Sequence, residues 1–315
     1  MKWLLVLLLA GNAYAQGYPS KPIRLVVGFA PAGAADVVAR TLQEPMQRAL
    51  GQPIVVDNKP GAGSSLAAEF VAKSAADGYT VLIASPSSIF VNPLLNPSLG
   101  YQLRDLAPVT KVSSSPLIVA VNSAIGVHSI GELIAYARKN PGKLNYASSG
   151  NGSAPHMAAV LFQRVSGIEM VHVPYKGGAP AVQSVVAGDT QLSFATPPSV
   201  LPLVQGGRLK ALAVTSREAT ALVPGVPGMA QAGLPDYEIS FWYGFFVPAG
   251  TPPEPVKKLY DATAQALKAP QTPKTLAPHG TEASGSASPA DFAAFLAEDA
   301  KLWARLVKES GAKIE

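Results

Sequence analysis

The feature of this 315-residue chain that most constrains its fold is an alternation of short β-branched runs with longer helical segments. In its first third, the pattern predicts strands over 23–29, 54–57 and 79–84, and helices over 37–50 and 65–73. Such alternation is typical of β-α-β units that share a largely parallel sheet. An α/β fold is therefore predicted.

A second series of the same kind begins near residue 117, where Ser129 and Glu132 form a capping box that opens a helix. The predicted strands of this series are 117–121, 144–147, 170–173, 191–194, 211–215 and 237–247, and its helices are 130–139, 156–165 and 180–187. The pattern then becomes helical over 253–268 and 289–310, and the apolar stripe of the last helix predicts that Trp303 is a core residue. One core rarely supports roughly 300 residues, so two domains are predicted.

The N-terminus has the form of an export signal. Lys2 precedes an apolar run over 3–10, and Ala13-Tyr14-Ala15 has the small-x-small pattern of a signal-peptidase site. The apolar run is about half the roughly 20 residues that span a bilayer. We expect a signal peptide over 1–15, cleavage after Ala15 and a periplasmic location; an apolar core strand is the alternative.

The composition excludes several classes of function. Apolar residues make up 48% of the chain and charged residues 14%, as in a well-buried α/β protein. The chain has no cysteine, which excludes disulfides, a thiol nucleophile and cysteine-bound metal. His128, His172 and His279 lack metal-ligand spacing. The net charge of +5 suits an anionic ligand, but the basic residues form no run, so nucleic acid is not expected. No cofactor and no metal are predicted.

Three small-residue loops, 29–36, 148–156 and 175–180, each follow a predicted strand and open a predicted helix. Small residues let a ligand approach the backbone, and the first turn of a helix offers unpaired N–H groups. Ligands of open α/β sheets bind beyond the carboxyl ends of the strands, and a cleft between two lobes is a natural pocket. The loops therefore predict a site that can hold a carboxylate without a charged side chain.

Single side chains near these loops allow two interpretations each. Asp36 could contact the ligand or stabilise the first turn of its helix. Lys176 could neutralise a carboxylate or be solvated. His156 could donate to a ligand or cap its helix. Trp242 and Tyr243 could form a wall of the cleft or belong to the core.

Enzyme signatures are missing from the sequence. It contains no G-x-S-x-G elbow, no H-E-x-x-H, no P-loop and no dinucleotide fingerprint after the first strand. A serine hydrolase built from Ser153, His156 and a remote carboxylate remains an alternative. We predict no catalytic residues and a protein that is not an enzyme.

At these loops the sequence resembles the substrate-binding proteins of tripartite tricarboxylate transporters, the Bug family. The resemblance runs from Lys21 to about Ala312. The matching segments include Phe29-Ala30-Pro31 with Gly33 and Asp36, Asn58-Lys59-Pro60-Gly61-Ala62-Gly63, Asp77-Gly78-Tyr79-Thr80, Leu144-Asn145-Tyr146-Ala147-Ser148-Ser149-Gly150-Asn151-Gly152-Ser153, His172-Val173-Pro174-Tyr175-Lys176-Gly177-Gly178 and Pro248-Ala249-Gly250-Thr251-Pro252.

The resemblance implies a fold like that of type II periplasmic binding proteins, with two α/β lobes joined by two crossing strands and the ligand cleft between them. It assigns 16–110 and 240–315 to lobe 1, and 111–239 to lobe 2. It also implies a monomer that captures a small carboxylic acid (a dicarboxylate, a tricarboxylate or an aromatic acid) for the large and small membrane subunits of a tripartite tricarboxylate transporter. Delivery to a membrane sensor kinase is the alternative role.

The resemblance further implies that the first and third loops grip one ligand carboxylate. The expected site residues are Phe29, Ala32, Gly33, Asp36, Ser85, Ser87, Ser149, Asn151, Ser153, His156, Tyr175, Lys176, Gly177, Gly178, Thr196 and Ser199. Two departures from the family pattern bear on the ligand. Ala32 replaces a common glycine, and Ala195 stands where an acidic or amide residue is frequent. Without a charge at Ala195, a carboxylate that lacks an amino group is expected.

Overall fold

The computed structural model describes residues 17–310, apart from the side chain of Ser310. The predicted signal peptide, 1–15, lies outside these residues. Two α/β lobes pack side by side, each around its own sheet, which confirms the two-lobe α/β prediction. Between residues 17 and 310, no helix combines the length and the apolar character needed to cross a membrane.

The strands of the described chain are β1 Ile23–Val27, β2 Ile54–Asn58, β3 Thr80–Ala84, β4 Leu106–Pro116, β5 Ile118–Asn122, β6 Asn145–Ser148, β7 Val171–Pro174, β8 Leu192–Ala195, β9 Leu209–Val214, β10 Ser240–Pro248 and β11 Glu282–Ala283. Its helices are α1 Ala34–Leu50, α2 Ser65–Ala72, α3 Asn92–Leu95, α4 Ile130–Lys139, α5 Ala154–Ser166, α6 Gly178–Ala187, α7 Pro197–Gln205, α8 Pro253–Lys268, α9 Gln271–Leu276 and α10 Pro289–Ser310. A π-helical turn, Ser87–Val91, leads into α3.

Both sheets are mixed rather than largely parallel. The sheet of lobe 1 has the order β11-β4-β10-β3-β1-β2, and that of lobe 2 has the order β7-β6-β8-β5-β9. In lobe 1, β1 pairs in parallel with β2 and β3, while β10 runs antiparallel between β3 and β4. In lobe 2, β6 pairs in parallel with β7 and β8, and β5 runs antiparallel to β8 and β9. Every antiparallel pair in the described chain, that of the short edge strand β11 with β4 among them, includes a strand next to a chain crossing.

The chain crosses between the lobes at two adjacent points, after β4 and before β10. All of β4 pairs within the first sheet, so the first crossing follows Pro116 and not residue 110 as expected. Thr215 holds the two crossing segments together. Its hydroxyl accepts from the backbone N–H of Leu117 at 2.8 Å and donates to the carbonyl of Ile239 at 2.8 Å. The crossings therefore form one hydrogen-bonded hinge.

The sequence analysis predicts neither β4 nor α7, and it also misses three short elements, α3, α9 and β11. In β4, prolines and a run of three serines weaken the strand signal, and pairing with β10 on one side and β11 on the other outweighs local propensity. Helix α7 begins with Pro197 and Pro198, which resemble a loop, although proline is well suited to the first helical turn. The prediction that Trp303 is core is confirmed, since it is 1% exposed.

Candidate functional site

A small cavity, here called the inner chamber, lies between the lobes and has a volume of about 40 Å³. Helices from both lobes begin at its wall: α1 of lobe 1 and α5, α6 and α7 of lobe 2. Among the described residues that line it, no side chain is charged. The lining residues are Phe29, Ala30, Pro31, Gly33, Ala34, Ser87, Ser149, Ser153, Ala154, Pro155, Gly177, Gly178, Ala179, Pro180, Thr196, Ser199, Phe241 and Tyr243.

The helix ends give the inner chamber a positive potential without a cation. The first N–H groups of a helix have no partner within it, and the helix dipole adds a partial positive charge. Prolines remove donors from all three helices of lobe 2, which begin with Ala154-Pro155, Gly178-Ala179-Pro180 and Pro197-Pro198. Helix α1 of lobe 1 has no proline in its first turn, and α6 keeps the N–H groups of Gly178 and Ala179, so each lobe supplies donors.

The first loop is held in place by Asp36, which lies outside the chamber. The Asp36 carboxylate is 4% exposed and accepts from the N–H of Ala32 at 3.0 Å, from Arg40 Nε at 2.9 Å and from Asn58 Nδ2 at 3.0 Å. Burial opposes ionisation, but these hydrogen bonds outweigh it and hold the pKa of Asp36 below its ordinary value. Asp36 therefore supports the first loop, one of its two predicted roles, and lines neither cavity.

Ala32 adopts a left-handed backbone conformation, with φ of 63°. Its side chain lies outside the lining of the inner chamber, so its methyl group does not narrow the chamber. A residue with a Cβ in this conformation costs about 1 kcal/mol or more relative to glycine. The departure from the family pattern at Ala32 is thus a matter of backbone strain.

The variant Ala32→Gly should relieve this strain. Part of the gain is offset because glycine gives the unfolded chain more freedom, so we expect the free energy of unfolding to rise by only about 0.5 kcal/mol. Chemical denaturation checks this expectation, provided that the dependence of the free energy of unfolding on denaturant concentration is the same in both proteins. A clear loss of stability would contradict it.

The third loop brings α6 very close to α7. Gly177 has φ of 131°, a conformation that favours glycine. At Gly178, a Cβ would lie 2.6 Å from Ser199 Oγ and 3.7 Å from Thr196 Oγ1. The Thr196 and Ser199 hydroxyls are 3.1 Å apart and share a hydrogen bond. A side chain at position 178 would therefore displace the Ser199 hydroxyl, and the paired hydroxyls offer neutral contacts in the inner chamber.

Strand β10 supplies an aromatic wall that sequence reasoning only half identified. Phe241 and Tyr243 point into the inner chamber, since alternate residues of a strand share a face. Trp242 points to the other side of the sheet, where its indole N–H donates to Asp299 at 2.7 Å. Burial raises the pKa of Tyr243, whose phenol oxygen accepts from the N–H of Ala35. Tyr243 therefore stays neutral.

A second, larger cavity, here called the outer cleft, has a volume of about 700 Å³. It shares four lining residues with the inner chamber, which form a neck between them: Phe29, Ala30, Ser149 and Gly177. Its other described lining residues are Gly28, Pro60, Gly61, Ala62, Gly63, Ser64, Ser65, Asn92, Asn96, Leu99, Gly150, Asn151, Pro174, Tyr175 and Lys176. Lys176 is the one charged side chain among them.

His156 is turned away from both cavities. Its ring stacks on His172 with a centroid separation of 4.0 Å, and Tyr146 also stacks on His172, at 4.9 Å. Nδ1 of His156 accepts from the N–H of Gly152 at 3.1 Å. Burial, and then the neighbouring His172, lowers the pKa of His156 to about 3, and burial lowers that of His172 to about 4. The histidines thus support the second loop as neutral rings.

These buried histidines should make the fold sensitive to acid. Below pH 6.5 a histidine of the unfolded chain binds a proton, whereas His156 and His172 of the folded chain stay neutral. The free energy of unfolding therefore falls as the pH drops from 6.5 towards 4. Between pH 7 and pH 5, His156 alone should lower the free energy of unfolding by roughly 2 kcal/mol. Denaturation at both pH values, for the wild type and His156→Gln, checks this. An equally steep fall in the variant would contradict it.

The structure thus divides the sixteen expected site residues into three groups. Those that line the inner chamber are Phe29, Gly33, Ser87, Ser149, Ser153, Gly177, Gly178, Thr196 and Ser199. Those that line only the outer cleft are Asn151, Tyr175 and Lys176. Those that line neither are Ala32, Asp36, Ser85 and His156. Ser85 is fully buried, and Ala195, also buried, lines neither cavity.

Comparison with known proteins agrees with this architecture. Residues 38–312 match the model of the TctC family, tripartite tricarboxylate transporter family receptors. The chain is 36% identical to Protein BugT of Bordetella pertussis over 309 residues, 98% of this chain and 94% of that protein.

Two solved structures are similar over nearly the whole chain. R. palustris Rpa4515 with adipate is 33% identical, with a TM-score of 0.90, and the match covers 94% of this chain and 100% of that one. MatC (Rpa3494) from Rhodopseudomonas palustris with bound malate is 29% identical, with a TM-score of 0.86. That match covers 92% of this chain and 100% of the other. This chain is therefore a member of the tripartite tricarboxylate transporter receptor family.

Proposed function

We propose that the protein captures a small carboxylic acid between its lobes and presents it, in the periplasm, to the membrane subunits of a tripartite tricarboxylate transporter. The observation that carries this proposal is the inner chamber, where the N-termini of α1 and α6 meet from opposite lobes. An anion placed there satisfies N–H groups of both lobes. It therefore stabilises the closed arrangement more than the open one, which is what couples binding to hinge closure.

The lining also supports a class of acid. An amino acid would bring an ammonium group, which needs a carboxylate partner when water is excluded. Among the described residues that line the inner chamber, none is acidic. We therefore propose a carboxylate without an amino group, in line with the adipate and malate held by the two similar structures.

The proposed role is reversible binding by a monomer, with no reaction catalysed. The geometry around Ser153 supports this against the hydrolase alternative. The Ser153 hydroxyl accepts from the backbone N–H of His156 at 3.4 Å, while the accepting nitrogen of the His156 ring is taken by Gly152. His156 in this position has no free lone pair on Nδ1 with which to activate the serine.

A thermal-shift screen of carboxylic acids tests the proposal, with protein that has been unfolded and refolded to remove any carried-over ligand. At 100-fold excess over Kd, binding adds about 2.7 kcal/mol, or roughly 5–10 °C in Tm. A shift with an acid that is absent with its amide supports carboxylate capture. No shift across a broad panel would overturn it. Delivery to a sensor kinase instead of a transporter is distinguished by co-purification with the transporter's membrane subunits.

A further inference from the structure

The two lobes touch directly beside the outer cleft, where Asn92 and Gly63 of lobe 1 face Asn151 and Gly152 of lobe 2. A Cβ added to Gly152 would overlap Asn92 Oδ1 and would lie 3.5 Å from Val91 Cγ1. A Cβ added to Gly63 would lie 3.0 Å from the carbonyl oxygen of Asn151. At this contact the backbone of lobe 2 therefore lies against a side chain of lobe 1, with no room for a side chain at Gly152.

The Asn92 side chain cannot easily move aside. It is 2% exposed, and its Nδ2 lies 2.7 Å from Ser65 Oγ, 3.0 Å from the carbonyl oxygen of Gly63 and 3.1 Å from that of Ala62. All three acceptors belong to the segment that leads into α2, so the amide is tied to lobe 1. Turning it away would break these hydrogen bonds and leave buried polar groups unpaired, which is costly.

Gly152 is fixed in a similar way within lobe 2. Its N–H donates to His156 Nδ1 at 3.1 Å, and its φ of 70° is a conformation that favours glycine. The N–H of Ser153 donates to the carbonyl of Gly150 at 3.1 Å, which closes a turn around Gly152. Gly152 itself lines neither the inner chamber nor the outer cleft.

The contact also lies away from the hinge. Strand β6, which leads into the turn at Gly152, is separated by β8 from β5, the strand that follows the first crossing. A rotation that opens the lobes about the hinge at Thr215 would therefore separate Gly152 from Asn92. The two residues meet when the lobes close.

We infer that Asn92 and Gly152 form a closure contact, which sets how completely the lobes close and thereby how slowly a bound acid is released. This inference rests on the proposed function, because it needs a ligand that lobe closure holds. Both are positioning residues. Asn92 provides a fixed surface on lobe 1, and the missing side chain of Gly152 lets lobe 2 reach that surface.

Gly152→Ala tests the closure contact, with adipate as the probe and protein that has been unfolded and refolded. Stopped-flow mixing and calorimetric titration should show the dissociation rate constant and Kd rising together by about 10- to 100-fold, with little change in the association rate constant. Unchanged constants would overturn the inference. A lower number of binding sites with an unchanged dissociation rate constant would also overturn it, since that is the result of partial unfolding alone.

Gly126→Ala is the matched control. Gly126 also belongs to lobe 2 and has the same φ of 70°, but among the described residues no atom beyond its chain neighbours would lie within 4 Å of the new Cβ. Both variants therefore carry the strain of alanine in a left-handed conformation, and chemical denaturation without acid should show similar losses of stability. Affinity should fall only in Gly152→Ala. An equal fall in Gly126→Ala would trace the effect to backbone strain and contradict the inference.

A double-mutant cycle identifies the partner of Gly152. Truncating Asn92 makes room for the new methyl group, so in an Asn92→Ala background Gly152→Ala should change Kd by less than about two-fold. If it costs as much affinity there as in the wild type, Asn92 is not the surface that Gly152 meets, and the inference fails while the proposed function stands. If the wild type does not bind adipate, the acid with the largest shift in the thermal screen replaces it. If no acid binds the wild type, the proposed function fails and the inference with it.

Discussion

Replacing Gly178 with valine should lower the affinity for the carboxylic acid roughly 100-fold, which corresponds to about 2 to 3 kcal/mol. The new Cβ would lie 2.6 Å from Ser199 Oγ and would break its hydrogen bond to Thr196. The two added methyl groups would fill most of a chamber of about 40 Å³. The backbone of Gly178 lies outside the left-handed region, so the fold should tolerate the change.

Gly131→Val provides the control, because Gly131 also lies in the first turn of a helix of lobe 2 and its nearest neighbour there, Ser129 Oγ, would be 3.9 Å from the new Cβ. Calorimetric titration and chemical denaturation should be run on both variants. We expect Gly178→Val to lose binding with nearly the stability of the wild type, and Gly131→Val to keep both. Wild-type affinity in Gly178→Val would show that the ligand binds elsewhere.

Removing the Asp36 carboxylate should weaken both the fold and the ligand site. In Asp36→Ala, the N–H of Ala32, the Arg40 guanidinium and the Asn58 amide all lose their acceptor, and we expect the free energy of unfolding to fall by about 3 kcal/mol. The first loop would no longer be ordered before binding. Ordering even one residue costs about 1–2 kcal/mol, so affinity should fall roughly ten-fold.

Asp261→Ala is the matched control for stability. Asp261 pairs with Lys257, one helical turn away, as Asp36 pairs with Arg40, but both partners are exposed. Exposed pairs contribute at most about 1 kcal/mol, so this variant should be nearly neutral. If Asp36→Ala were equally neutral, the loop would have to be held by contacts other than this carboxylate.

The two long helices towards the C-terminus were predictable because their local signals agree with the packing. The helix over 253–268 and the helix over 289–310 have the bounds that the apolar pattern predicts. Strand β4 could not be found in this way, because its place depends on β10, more than a hundred residues further along the chain. Pairing over such a distance leaves no periodic trace in the strand itself.

The candidate site divides in the same manner. The glycine loops indicate where α1 and α6 begin, so Gly33, Gly177 and Gly178 could be predicted to line the inner chamber. Phe241 and Tyr243 could not be separated from Trp242 without the register of β10, which decides which face of the sheet each ring occupies. The packing of His156 could not be predicted locally, because the ring it stacks on, His172, belongs to strand β7.

The position of β10 also determines the order in which the molecule can be assembled. The sheet strands of lobe 2 all lie between residues 118 and 214, so that sheet can form as soon as this stretch is available. The sheet of lobe 1 needs residues 240–248 as its central strand, between β3 and β4. Before β10 is available, β3 and β4 each have an unpaired edge where β10 would lie. Such edges favour pairing with other chains. A chain that ends before residue 240 therefore contains one complete sheet and one that cannot close.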